Sequence, residues 1–126
     1  MSAEENLRVA QALNDAFTSM DIEAMDRLMA DDIVWHEIGR SEPRRGKEAL
    51  RQTAPGGTGV DYEIKGTAHD ILASDDHAIT LANATATRGG RTLEYRTAEI
   101  YHIKDGKVTE RWAFSDDTAR IADFFA

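Results

Sequence analysis

Residues 91–117, RTLEYRTAEIYHIKDGKVTERWAFSDD, set two strand-forming runs on either side of Asp105-Gly106. Such a dipeptide between β-prone runs is among the strongest hairpin signals, because both central residues of a tight primed turn need positive φ. Alternation through the second run puts Val108, Glu110, Trp112, Phe114 and Asp116 on one face, and Thr109, Arg111, Ala113 and Ser115 on the other. The first face mixes bulky aromatics with two carboxylates. A carboxylate left unpaired in an apolar core is costly or becomes protonated. The pattern therefore predicts a face that lines a cavity, at least at one end, and a polar opposite face carrying Thr109 and Arg111.

The rest of the chain supplies elements to pack on this hairpin. Leu7, Ala10, Leu13, Phe17 and Met20 recur at helical spacing, predicting a helix over 3–20 capped by Ser2, with Glu4 and Glu5 in its first turn. Asp21 caps a second helix over 22–30. Residues 33–38, IVWHEI, read as a short strand with Val34, His36 and Ile38 on one face and Ile33, Trp35 and Glu37 on the other. A polar turn over 39–45 precedes a third helix over 47–53. Residues 54–59, APGGTG, form a glycine-bearing loop without the spacing or the lysine of a phosphate-binding loop. Strands follow from Tyr62, through 67–74, 77–88, 91–104 and 107–115, with turns at Asp75-Asp76, Gly89-Gly90 and Asp105-Gly106. Asp116 or Asp117 then caps a short C-terminal helix. No repeat or linker interrupts the 126 residues, so one domain is expected.

Helices first and a meander of long strands afterwards mean α+β: three N-terminal helices on one face of a strongly curved antiparallel sheet, with a short C-terminal helix. Three short helices cannot fill such a sheet, so a conical hollow remains, enlarged where Ala82, Ala84 and Ala86 point inward. Asp21-Ile22-Glu23-Ala24, Asp31-Asp32-Ile33-Val34-Trp35-His36, Gly46-Lys47-Glu48-Ala49 and His69-Asp70-Ile71-Leu72-Ala73 carry a further signal. So does the ending from Ile100 to Val108, through Glu110 and Trp112, to Asp116-Asp117. On these residues the chain resembles the SnoaL-like group of the NTF2-like superfamily. These are cone-shaped α+β barrels that include polyketide cyclases, ketosteroid isomerase and limonene epoxide hydrolase. The resemblance spans nearly the whole chain and implies a homodimer.

Charge and composition narrow the function. The formal charge is −8, with no cysteine. A nucleic-acid groove needs clustered cations, and the only cluster is Arg40, Arg44, Arg45, Lys47 and Arg51, so no nucleic-acid partner is expected. That cluster reads either as a solvated loop or as a receiver for an anionic group on a ligand. Thiolate chemistry is excluded. The four histidines lack ligand spacing, so no metal is expected. No apolar run approaches membrane-span length, and the N-terminus lacks signal-peptide character; a cytoplasmic protein with no membrane partner is expected.

Asp116, at the end of the last strand in line with Trp112 and Phe114, is a candidate proton carrier whose alternative role is a helix cap. His36 is a candidate acid/base beside Trp35; only one of the two faces the hollow if the strand is regular. Glu99 and Tyr101 share a face, with Arg96 or Arg111 available to pair with Glu99 or Glu110. That set reads either as an acid/base pair with a phenol donor or as an ordinary cross-strand ion pair. Trp35, Tyr101, Trp112, Phe114 and His69 are the expected ligand-binding residues, with Tyr95 as further wall. The expected function is a cofactor-independent enzyme transferring protons on a small, largely apolar organic ligand as an isomerase, cyclase or epoxide hydrolase. The alternative is a non-catalytic binding or dimerisation module.

Overall fold

The computed structural model describes residues 2–53 and 61–126. The glycine loop at 54–59 lies outside the described residues. In chain order the elements are α1 (Ala3–Ser19), α2 (Ile22–Leu28), β1 (Met29–Trp35), β2 (Arg44–Arg45), α3 (Lys47–Thr53), β3 (Tyr62–Ala73), β4 (His77–Arg88), β5 (Arg91–Lys104), β6 (Lys107–Ser115) and α4 (Thr118–Phe125). They form an α+β fold in which helices pack on one curved sheet of strand order β2-β1-β6-β5-β4-β3.

Local chemistry sets the helix ends. Ser2 accepts the Glu5 N–H at 3.2 Å, Asp21 accepts the Ala24 N–H at 3.1 Å, and Asp117 accepts the Arg120 N–H at 3.0 Å. Each satisfies a donor that a helix start leaves without an intrahelical partner. Met20, at φ 57°, closes α1 in the left-handed region. The second helix stops at Leu28, earlier than its sequence pattern predicts. Met29 already pairs with Val108, and β1 runs parallel to its neighbour β6. Ladder pairing and burial of Met29 outweigh another half-turn of helix. Within the expected polar turn, Arg44 and Arg45 form β2 by pairing with Trp35 and Val34.

The remaining strands make three consecutive hairpins. Asp105 and Gly106 have φ of 52° and 77°, as a primed turn requires. Along β4 the inward positions are Ala78, Thr80, Ala82, Ala84 and Ala86, opposite Tyr101, Glu99, Thr97, Tyr95 and Leu93. Small residues on one strand thus face large ones on the next.

One irregularity reverses an expectation. Ile103 pairs with Val108 while His102 pairs with Glu110, so Thr109 is an extra residue. Val108 is fully buried beside Ile103 on the helix-covered side. Beyond this bulge the alternation is inverted. Arg111 points inward, whereas Glu110, Trp112, Phe114 and Asp116 lie on the outer face, where Phe114 is 58% exposed. The expected cavity-lining face of β6 is the one turned away from the helices. A second bulge, at His69, sits in the edge strand β3.

Two apolar clusters hold the layers together. One joins Ala10 and Leu13 of α1 to Ile33, Tyr101, Ile103 and Val108. The other packs Ile121 and Phe124 of α4 on Ala86 and Leu93. The C-terminal helix reaches the loop after β1 at Gly39, where a Cβ would come within 2.8 Å of the Ala122 Cβ. Gly39 also has φ +83°, so both space and backbone call for glycine.

Candidate functional site

Between the two clusters lies a cavity of about 580 Å³. Phe17 of α1, Ile22 and Met25 of α2 and Leu50 of α3 form its helical wall. Trp35, Ile64 and Tyr95 form its sheet wall, and Ile121 and Phe125 of α4 close the far side. Its size and mostly apolar lining are those of a small-molecule chamber.

One charged pair is set into this wall. Arg111 donates from Nη2 to Glu99 Oε1 at 2.7 Å and from Nη1 to the His36 carbonyl at 3.1 Å. Its guanidinium carbon lies 4.3 Å from the Trp35 ring centroid, a cation–π contact. Glu99 also accepts from the Tyr101 hydroxyl at 3.3 Å and the Thr97 hydroxyl at 3.4 Å. The side chains of Arg111 and Glu99 are 11% and 20% exposed, so water does little to screen them. Burial works against the Arg111 charge, but Glu99 and Tyr101 beside it raise its pKa further. The buried Nε of Arg111 has no hydrogen-bond partner among the described residues.

A second carboxylate lies on the cavity wall itself. Glu37 accepts from Arg44 Nε at 2.7 Å through Oε1. The pairing of β2 with β1 brings these two together. Around them, two phenols are held in the protonated state. Burial, followed by Glu99, pushes Tyr95 up to about 12. Burial, followed by Glu37, raises Tyr62. At the rim, Lys47 and Arg51 both pair with Asp26, and hydrogen bonding from Arg51 is the main cause of the lowered Asp26 pKa.

The residues singled out from sequence divide between the two faces. Trp35 lines the cavity, and Glu99 and Tyr101 stand behind Arg111 on the same face. His36 is on the other side of the sheet, its Nε2 2.7 Å from Glu110 Oε2 and its ring stacked on Trp112 with centroids 5.0 Å apart. Trp112 also meets His102, whose Nε2 lies 3.0 Å from that of His77. Phe114 is exposed, and His69 is exposed on its bulge. Asp116 is exposed too and accepts the Arg96 N–H at 3.2 Å, leaving the helix cap to Asp117. Arg111 was expected to point outward and does not. Glu37 and Tyr62 escaped sequence reasoning, and Arg44 entered it only as a member of the basic cluster over 40–51. The one available signal for Glu37 was its shared face with Trp35.

No group of three or more His, Cys, Asp and Glu among the described residues is placed to hold a metal ion. No helix among them is long and apolar enough to cross a membrane.

A curved sheet with helices over an off-centre chamber defines the NTF2-like superfamily. The SnoaL-like domain matches residues 10–111, and the chain belongs to that family. No curated protein sequence matches it. Among solved structures it is similar to Bal32a from a soil-derived mobile gene cassette, at 27% identity and TM-score 0.83 over 98% of each chain. An NTF2-like protein from Burkholderia xenovorans LB400 shares 21% identity at TM-score 0.81, over 100% of this chain and 99% of that one. An epoxide hydrolase from M. tuberculosis shares 20% identity at TM-score 0.72, over 90% of this chain and 84% of that one. The last two likenesses concern the fold alone.

Proposed function

We propose that this chain is a cofactor-independent enzyme that moves protons on a small, largely apolar molecule held in the cavity. One observation carries the reading: two arginine–carboxylate pairs, Arg111 with Glu99 and Arg44 with Glu37, meet at the wall of a mainly apolar chamber. Buried ion pairs rarely add net stability over apolar residues of similar volume, so structure alone gives little reason to keep them there. Charged side chains converging on an apolar cleft are a mark of chemistry.

In this reading Glu37 is the acid/base group, because its carboxylate lines the cavity. Arg111 stabilises negative charge as it develops on a substrate oxygen, a task suited to a preorganised cation in a poorly hydrated site. Glu99 is a positioning residue that holds Arg111, with Tyr101 and Thr97 holding Glu99 in turn. Trp35 gives apolar wall to the substrate and a face to the guanidinium. Tyr95 and Tyr62 remain protonated beside them. Such a set serves isomerisation, cyclisation or epoxide opening, each of which needs a proton moved and an oxygen stabilised.

The test is turnover of steroid, polyketide-fragment and epoxide substrates by the wild type, Glu37→Gln and Asp116→Asn. We expect Glu37→Gln to lose at least about a hundredfold in kcat with its fold intact, and Asp116→Asn to match the wild type. Wild-type turnover by Glu37→Gln would remove that residue from the mechanism. A second reading has its own observation: both carboxylates are already engaged by arginines, as a binding module would allow. Ligand binding without turnover across the whole panel favours it.

We further infer that a second copy of the chain covers the outer sheet face. Leu72, Ile79, Ile100 and Trp112 form one cross-strand row there, and Leu81, Ala98 and Phe114 the next. Two copies of a chain with charge −8 repel at long range, and these two apolar rows are what the face offers against that repulsion. Phe114→Glu should then convert a dimer to a monomer in sedimentation. A wild-type monomer at high concentration would overturn the inference.

A further inference from the structure

We propose that the ligand of this cavity carries an anionic head on its apolar body, and that Arg40 selects for it. The inference rests on the cavity reading above and narrows it to a class of ligand. Its starting point is one cation without a partner among the described residues. The chain as a whole is −8. The cavity lining holds five cations, Arg40, Arg44, Lys47, Arg51 and Arg111, and the acidic side chains Asp26 and Glu37 in the lining and Asp31, Glu48 and Glu99 beside it pair with all of them but Arg40. Residues 54–60, APGGTGV, contribute no charged side chain to this balance.

Most of those cations are engaged. Lys47 pairs with Asp26 and Asp31, and Arg51 with Asp26 and Glu48. Arg111 is occupied by Glu99 and the His36 carbonyl. Arg44 gives its Nε to Glu37. Arg40 differs: it lines the cavity, is exposed, and its side chain makes no ion pair or hydrogen bond among the described residues. Its place is nonetheless set by the backbone. The Arg40 N–H donates to the Glu37 carbonyl at 3.2 Å, and Gly39 before it is pressed against Ala122 of α4.

An unpaired cation beside low-dielectric walls concentrates field at a cavity mouth and draws in anions. An arginine fork matches a carboxylate, sulfonate or phosphate with two parallel hydrogen bonds. An apolar body would enter toward Phe17, Leu50 and Ile64, leaving its charged head at the rim. That places the reacting centre between head and tail, near Glu37 and Arg111.

Two fluorescent probes with one ring skeleton test this: anilinonaphthalene sulfonate, which is anionic, and N-phenylnaphthylamine, which is neutral. Both should bind the wild type. The sulfonate should bind about tenfold tighter at low salt, with the preference shrinking as salt screens the rim. Arg40→Gln should reduce that preference to about threefold or less while leaving the neutral dye unchanged, and Arg40→Lys should keep most of it. Ile64→Trp, which fills the cavity from the sheet side, should weaken both dyes together. Equal wild-type affinity for the two dyes would overturn the anionic head and leave the cavity reading standing. Binding of neither dye would overturn both. A preference unchanged in Arg40→Gln, or surviving in Ile64→Trp, would sink the assignment to Arg40 and this cavity.

Discussion

Replacing Arg111 with Met leaves Glu99 inside the sheet wall without its cation. Breaking a buried pair by removing one partner costs about 3–5 kcal/mol, because the remaining charge loses compensation it cannot recover from water. Here the two side chains are 11% and 20% exposed, and Glu99 keeps the Tyr101 and Thr97 hydroxyls, which argues for the lower end. The His36 carbonyl loses its side-chain donor, and Trp35 loses the cation over its ring. Met fills most of the vacated volume, so little cavity penalty is added. The expected loss is about 3 kcal/mol, or roughly 12 °C in Tm for a chain of this size. Urea unfolding with an unchanged m-value is the assay. The informative partner is Arg111→Met combined with Glu99→Gln, which removes both charges. It should recover at least half of the loss, since no ion is left stranded. Stability of Arg111→Met within about 1 kcal/mol of the wild type would refute the premise that this pair is shielded from water. So would a double variant less stable than the single one.

Two further outcomes follow from particular contacts. Gly39→Ala should lose about 2 kcal/mol in thermal unfolding, since it combines a left-handed φ with a Cβ thrust against Ala122; an unchanged Tm would mean α4 does not press on this loop. Stability should also fall in mild acid through His102. Its folded pKa lies below the usual 6.5 because of burial first and His77 second, with Glu110 and Asp76 opposing. The unfolded chain therefore takes up the proton more readily. The contribution is fully present above 6.5 and is lost as pH drops through the lower folded value. Urea midpoints from about pH 8 down to about pH 5 measure it, and His102→Gln should flatten the curve; an unaltered pH dependence in that variant would exclude His102 as the source.

The parts that sequence made plain are those with local causes. Ser2 and Asp21 are capping side chains within three residues of the N–H groups they satisfy, and Asp105-Gly106 carries its turn type in its own φ preferences. Glu99 and Trp35 were recoverable because β5 is regular over 91–102 and β1 ends at Trp35 with the parity its apolar residues suggest. The pairing of Arg44 with Glu37 and the inward turn of Arg111 were not recoverable, for a different reason. Arg44 reaches Glu37 through a two-residue strand whose existence depends on pairing with β1, a tertiary event with no signature in its own residues. Arg111 looks like an outward residue under strict alternation, and Lys-Val-Thr-Glu-Arg contains no glycine or proline to announce that alternation breaks.

The break at Thr109 explains how one strand serves two needs. Val108 must face inward, because with Ile103 and Ile33 it closes the core beneath α1. Arg111 must face inward too, because it is the ion-pair partner of Glu99 on the inner face of the neighbouring strand. Three positions apart, the two residues cannot share a face of a regular strand, where side chains repeat every second residue. One extra residue between them satisfies both requirements and sends Glu110, Trp112, Phe114 and Asp116 to the outer face together. The aromatic and acidic pattern that looked like a pocket wall and the charged pair in the actual cavity are therefore consequences of the same inserted threonine.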